Sequence, residues 1–191
     1  EFYRMGAIEL QRIASDLMWL GAGCPDAGNL TGMVWCLRER EMMMDVLQEL
    51  GGSRMHYNFP RVGGVKRDLP IGFALRCRAK LKLFLDRIQE YEAILDESTI
   101  FLVRTQGVGY AKAEEMINHG VSGPNVRAAG HNYDVRWAHP YSVYDELDWE
   151  PSVERPSIKG SDCYDRYRVR VEEMRQSALM ILDGLDKMPG G

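Results

Sequence analysis

Two residues in this chain stand where proton or electron chemistry would use them. Asp26 sits in Cys24-Pro25-Asp26-Ala27-Gly28-Asn29, and His56 sits in Arg54-Met55-His56-Tyr57. On residue type alone, Asp26 reads as a turn aspartate making a local backbone hydrogen bond. His56 alone reads as a loop or interface histidine, although imidazole is the side chain whose charge changes near neutral pH. Arg54 and Arg61 bracket His56 and suit either surface solvation or an anionic neighbour. His119, His131 and His139 carry no ligand spacing. The cysteines Cys24, Cys36, Cys77 and Cys163 include no C-x-x-C pair. A metal centre held by this chain alone is therefore not expected, because structural zinc and iron–sulfur sites usually begin with two close ligands.

Composition narrows the setting. The 191 residues carry 45% hydrophobic and 27% charged side chains, ordinary for a folded domain with a real core. A net charge of −4 argues against nucleic acid as a partner. No apolar run approaches the roughly 18–20 residues that a membrane span requires. The chain begins at Glu1, so no targeting segment can be read. Eleven methionines suit surfaces that bury against partners or flexible apolar ligands.

Four long helices must position these residues. Met5, Ile8, Ile13, Leu17 and Leu20 recur at helical spacing from Phe2 to Leu20, and Gly21, Gly23, Pro25 and Gly28 predict a break over 21–29. A second helix is expected from Thr31 to a stop at Gly51-Gly52. Its polar face is Arg38-Glu39-Arg40-Glu41, opposite Val34, Leu37 and Met44. Residues 52–70 hold Pro60, Gly63, Gly64 and Pro70 without helical period, a loop long enough to be functional. A third helix follows from Ile71 to Leu95, a short one over 112–119, then loops and short strands over 121–160. The last helix runs from Ser161 to Met188, capped by Asp162 or Ser161 and closed by Pro189-Gly190-Gly191. Tyr164, Asp165, Arg166 and the 170–175 stretch read as a salt-bridged helix face. The result is one mainly α unit over 1–191, a helical bundle with long functional loops and minor β structure.

Three ordered segments carry a resemblance across essentially the whole chain. The first is Arg54-Met55-His56, then Arg61-Val62-Gly63-Gly64-Val65 and Asp68-Leu69-Pro70, with Val62 where the pattern usually has Pro. The second is Gly120-Val121-Ser122-Gly123-Pro124, Arg127, Tyr133-Asp134-Val135-Arg136 and Val143-Tyr144-Asp145. The third is Gly160-Ser161-Asp162-Cys163-Tyr164-Asp165-Arg166-Tyr167, continuing through Glu172-Glu173-Met174-Arg175. Together they resemble the 49-kDa-type, quinone-reducing subunit of respiratory complex I, the NADH:ubiquinone oxidoreductase.

The resemblance implies a fold like the nickel–iron hydrogenase large subunit. It implies that the family's upstream β-hairpin and C-terminal region lie outside these residues, supplied by separate chains or by the rest of a longer protein. It assigns Asp26 to pairing with a quinone-site histidine upstream, so that a carboxylate favours an imidazolium that donates protons to reduced quinone. His56 would lie beside a terminal [4Fe-4S] cluster held by the neighbouring iron–sulfur subunit, with Arg54 and Arg61 near it. Met18 would line the quinone channel. Asp16 stands where the family commonly has His. No cofactor would be bound by this chain alone, and ubiquinone would be the substrate. Partners would be the iron–sulfur subunit of the quinone module, a 30-kDa-type subunit and membrane-arm subunits. The location would be the matrix side of the mitochondrial inner membrane or the cytoplasmic face of a prokaryotic plasma membrane. Competing readings are the large subunit of a membrane-bound nickel–iron hydrogenase, which needs two paired-cysteine motifs, a deazaflavin-dependent dehydrogenase, and a non-catalytic assembly module.

Overall fold

The computed structural model of the chain describes residues 1–153 and 160–188. Four long helices make the bundle: α1 (Phe2–Asp26), α2 (Leu30–Gly51), α3 (Phe73–Asp96) and, after four short helices, α8 (Cys163–Lys187). The short ones are α4 (Thr99–Thr105), α5 (Ala113–Asn118), α6 (Pro124–Ala128) and α7 (Val135–Ala138). A 3-10 turn covers Tyr144–Glu146. A two-residue hairpin joins β1 (Pro60–Arg61) to β2 (Gly64–Val65), antiparallel, with Pro60 opposite Val65.

Helix α1 packs chiefly on α2 and α8, while α3 closes the bundle against both. The core fills with Leu10, Ile13, Leu17 and Leu20 from α1, Met43, Val46 and Leu47 from α2, Leu81, Phe84 and Ile88 from α3, and Tyr167, Met174 and Ala178 from α8. Each set repeats at three- and four-residue steps, as a helix with one buried stripe requires. Fully burying a side chain of this size contributes about 1.5–3 kcal/mol.

The caps follow their sequence signals. Asn29 caps α2 by accepting the Gly32 N–H at 2.9 Å. Gly52 ends α2 at φ 83° and donates its N–H to the Gln48 carbonyl, a left-handed cap that costs a glycine little. Asp162 and Asp165 cap α8 reciprocally, each side chain accepting the other's backbone N–H. The expected stop at 189–191 lies outside the described residues.

Three expectations need correction. No break occurs at Gly21, because α1 continues to Asp26. A Cβ on Gly21 would meet the Cβ of Cys36 at 3.3 Å, so the glycine serves close approach of α1 and α2 rather than a turn. Pro25 is next to the last residue of α1, so its missing N–H removes one bond, to the Gly21 carbonyl, at the end where the helix stops anyway. Second, over 121–160 the expected loops are present, but among the described residues they are punctuated by short helices rather than strands, with no strand pairing apart from the bridge of Ala111 with Ser161 just beyond. Third, the polar face of α2 is not all solvated. Glu39 is fully buried and Val34 is exposed. Helix α3 supplies the reason: Arg87 and Tyr91 both donate to the Glu39 carboxylate, the tyrosine at 2.5 Å.

Candidate functional site

Asp26 closes α1 at the mouth of a cleft of about 300 Å³ walled by Trp19, Leu20, Cys24, Phe101, Arg104 and Tyr167. The walls come from α1, α4 and α8. Its backbone carbonyl accepts the Arg104 Nη1–H at 3.3 Å. The Asp26 carboxylate is exposed and makes no hydrogen bond or ion pair among the described residues. Asn29 fixes the turn beyond it, donating to the Ile94 carbonyl of α3 at 3.5 Å while capping α2.

Met18, two turns earlier on α1, is 49% exposed. It lines a second cleft, about 440 Å³, with Gln11, Ser15, Trp19, Arg40 and Tyr57. Trp19 borders both clefts, so Asp26 and Met18 share one continuous wall. Tyr57 brings in the loop that carries His56. It packs beside Gly51, whose Cβ would lie 3.0 Å from the Tyr57 Cα. The loop thus folds back over α2 toward α1. Burial pushes the Tyr57 phenol up, with Arg40 opposing. The buried Nε of Arg40 has no hydrogen-bond partner.

His56 is exposed. Its backbone N–H donates to Ser53 Oγ at 3.4 Å and its carbonyl accepts from Asn58 at 2.9 Å, but its imidazole has no partner among the described residues. Arg54 turns away, onto α2, where it pairs with Glu41 and with Asp45 at 2.6 Å. Arg61 holds the hairpin through its backbone carbonyl, which accepts from Arg4 Nη2 at 3.1 Å, as does the Gly64 carbonyl at 3.1 Å. Its own guanidinium is exposed and unpaired among the described residues. The fold therefore brings Asp26, Met18 and the His56 loop along one side of α1, and commits Arg54 elsewhere.

A buried ionic network underlies this surface. Arg136 on α7 donates to Glu9 and Asp134, and Arg127 on α6 pairs with Asp134 and Glu173. Glu9 also accepts from Tyr144 at 2.5 Å and Ser177 at 2.6 Å. Burial pushes the Glu9 carboxyl up, yet Arg136, Arg12, Ser177 and Tyr144 together outweigh it and hold Glu9 below the usual carboxylate range. Asp134 is likewise held low, burial being outweighed by Arg136 and Arg127. None of Trp19, Tyr57, Arg40, Arg104 or Glu9 stands out in the sequence. An exposed Trp beside an exposed Met on one helix turn was the available signal.

Among the described residues, no group of three or more His, Cys, Asp or Glu is placed to hold a metal ion. No described helix is long and apolar enough to cross a membrane.

Two adjoining clefts on a four-helix core and a loop with a free imidazole do not by themselves name a family; similarity to known proteins does. The model of the respiratory-chain NADH dehydrogenase 49 Kd subunit family matches residues 26–191. The chain belongs to that family. It is 42% identical over all 191 residues to an NADH-quinone oxidoreductase subunit of Rhizobium etli, covering 46% of that protein. It is 44% identical over 190 residues to a chloroplastic NAD(P)H-quinone oxidoreductase subunit of Zygnema circumcarinatum, covering 47%. The NAD(P)H-quinone oxidoreductase subunit of Gloeobacter violaceus is 42% identical over the same length, again with 47% covered. The chain spans about half the length of the curated relatives it matches.

Proposed function

We propose that this chain is the helical-bundle part of a quinone-reducing subunit of an NADH-quinone oxidoreductase, with a bundle of the nickel–iron hydrogenase large-subunit type. The observation that carries the reading is the shared Trp19 wall, which joins the Asp26 cleft to the cleft of Met18 and Tyr57. A mostly apolar cleft with a few convergent polar groups suits an aromatic headgroup on a hydrophobic tail. Asp26 presents a carboxylate with no partner among the described residues, which would suit it to steady an imidazolium supplied from outside them. His56 and Arg61 present free donors on the loop that would face an iron–sulfur neighbour, whereas Arg54 anchors that loop. A [4Fe-4S] cluster there would be held by the neighbour and would deliver electrons. His56 would take up a proton as the cluster is reduced, and Asp26 would orient the proton donor for the quinone. The partners in this reading are the iron–sulfur subunit of the quinone module, a 30-kDa-type subunit and membrane-arm subunits, on a membrane surface.

The test is Asp26→Asn in the assembled enzyme. Electron transfer to an artificial hydrophilic acceptor should survive while quinone reduction falls severely. A normal quinone rate removes Asp26 from the site, and equal loss of both activities indicates faulty assembly.

A further inference from the structure

A third cleft of about 350 Å³ lies on the opposite flank of the same stretch of α1, lined by Gln11, Arg12, Ser15, Asp16, Pro124 and Glu173. Two carboxylates line it, Asp16 and Glu173. Glu173 is 2% exposed, and both hydrogen bonds that it accepts from Arg127, one from Nε at 2.8 Å and one from Nη2, go to its Oε1. Its Oε2 is buried and has no partner. A buried carboxylate oxygen left without a donor costs free energy, so such an atom calls for one. Arg127 is already shared with Asp134 and the Tyr133 carbonyl.

Asp16 lines the same cleft, and a proton on it would make it the one carboxyl there able to donate. It is half-buried on α1, one turn beyond Arg12. Burial first, then the negative charge of Glu173, push its carboxyl up to about 7; Arg12 and Arg170 oppose this, and Glu9 adds to it. The charged groups around the pair are Glu9 and Arg12 from α1, Arg170 from α8, Arg127 from α6, and Asp134 and Arg136 from α7. Arg12 is engaged by Glu9 at 3.1 Å, and Arg136 by Glu9 and Asp134. Arg170 donates to Asn125 Oδ1 at 3.1 Å and lies over the Trp19 ring at 4.4 Å. The cations are thus largely committed, and two carboxylates in one cleft share the remainder. Like charges so placed favour holding one proton between them.

The position of the pair gives that proton a destination. Gln11 and Ser15 line both this cleft and the cleft of Met18 and Tyr57. A serine hydroxyl both donates and accepts, so it can pass a proton through ordered water.

We propose that Asp16 and Glu173 form a carboxylic acid–carboxylate pair holding a single proton, with the Asp16 hydroxyl donating to Glu173 Oε2, and that this proton is delivered past Ser15 to quinone in the Met18–Tyr57 cleft. The delivery step rests on the quinone-site reading; the pair itself does not. Quinone reduction to quinol consumes two electrons, from the neighbouring iron–sulfur cluster, and two protons. The pair provides one of those protons, leaves both carboxylates ionised, and reloads from water at the open mouth of its own cleft.

Infrared difference spectroscopy of the assembled enzyme reads the pair directly. At neutral pH the wild type should show a protonated-carboxyl C=O band that disappears in Asp16→Asn. In Glu173→Gln, where the facing charge is lost and the burial stays, the band should titrate away at lower pH than in the wild type. A band absent from the wild type, or one whose titration is unchanged in Glu173→Gln, overturns the pair. Should Glu173→Gln fail to assemble, the frequency of the wild-type band decides: a carboxyl that donates to a carboxylate absorbs below a free one, and a band at the free-carboxyl frequency overturns the pair. Delivery is read from the pH profile of quinone reduction. The wild-type rate should fall as pH rises through about 7, the Asp16→Asn rate should be several-fold lower and flat over that range, and Asp16→Glu should restore the slope. An Asp16→Asn profile identical to wild type overturns delivery while the Asp26 result stands. A normal quinone rate in Asp26→Asn overturns the quinone reading while the infrared band stands.

Discussion

Arg136 and Glu9, 127 positions apart in the chain, meet in the interior: the guanidinium Nη1 lies 3.0 and 3.1 Å from the two carboxylate oxygens. The pair ties α7 to α1 two turns before Asp16. Removing one member leaves the other buried and charged, which is the costly case for an interior ion pair.

Arg136→Met should therefore destabilise the chain by about 3–5 kcal/mol. Methionine fills much of the space, so the loss reflects Glu9 left with Arg12 and Asp134 left with Arg127 as their remaining cations, rather than a void. Urea unfolding of the chain measures it, and a change under about 1 kcal/mol would mean the network is solvated on average.

The same carboxylates set the acid limit. Glu9 and Asp134 are held below their ordinary range in the folded state. Their contribution to stability is thus present above the unfolded carboxylate range and lost as pH falls through the lower folded values. The melting temperature should drop steeply below about pH 4. Glu9→Gln should lower the plateau near neutral pH and shallow the acid slope, a combination that simple loss of packing would not give.

His56 has a free imidazole on an exposed loop. If it is the proton acceptor for a neighbouring cluster, the cluster potential should fall with rising pH by up to about 59 mV per unit for one electron and one proton. His56→Met should flatten that dependence while electron transfer to quinone continues. Redox titration followed by electron paramagnetic resonance at several pH values checks it. An unchanged slope assigns the coupling to another group.

The 52–70 segment should lose most of its hydrogen exchange when the complex assembles. Apart from the hairpin, its backbone is held by few hydrogen bonds, such as Lys66 N–H to the Phe59 carbonyl at 2.9 Å. Arg4, Lys66 and Arg67 tether it through side chains. Equal exchange in free chain and assembled enzyme would place the partner elsewhere.

The long helices were legible because their signals are local. Asn29, Gly52 and Asp162 cap where they stand, and apolar residues repeat within single turns. Gly21 and Pro25 misled for the opposite reason. Whether a glycine bends a helix or admits a neighbour depends on Cys36, in another helix. Short helices such as α6 and α7 have too few turns to display a period. Glu39 read as a surface residue because Arg87 and Tyr91, its partners, lie 48 and 52 positions away. Asp26, His56, Arg61 and Met18 were singled out by the family resemblance, and the structure leaves their side chains accessible. Trp19, which joins the two clefts, and the unmatched oxygen of Glu173 could be seen only once α8 was laid against α1.

Glu9 also imposes an order on synthesis. It projects from a stripe that includes Leu10 and Ile13, yet besides Arg12 its partners arrive at Arg136, Tyr144 and, last, Ser177 on α8. While the chain is still emerging, α1 cannot bury that stripe without burying a carboxylate short of donors. The apolar face must wait, exposed, until α8 has been made. A message truncated ahead of α8 would leave that stripe exposed and open to degradation, so one glutamate makes the arrival of α8 a condition for survival.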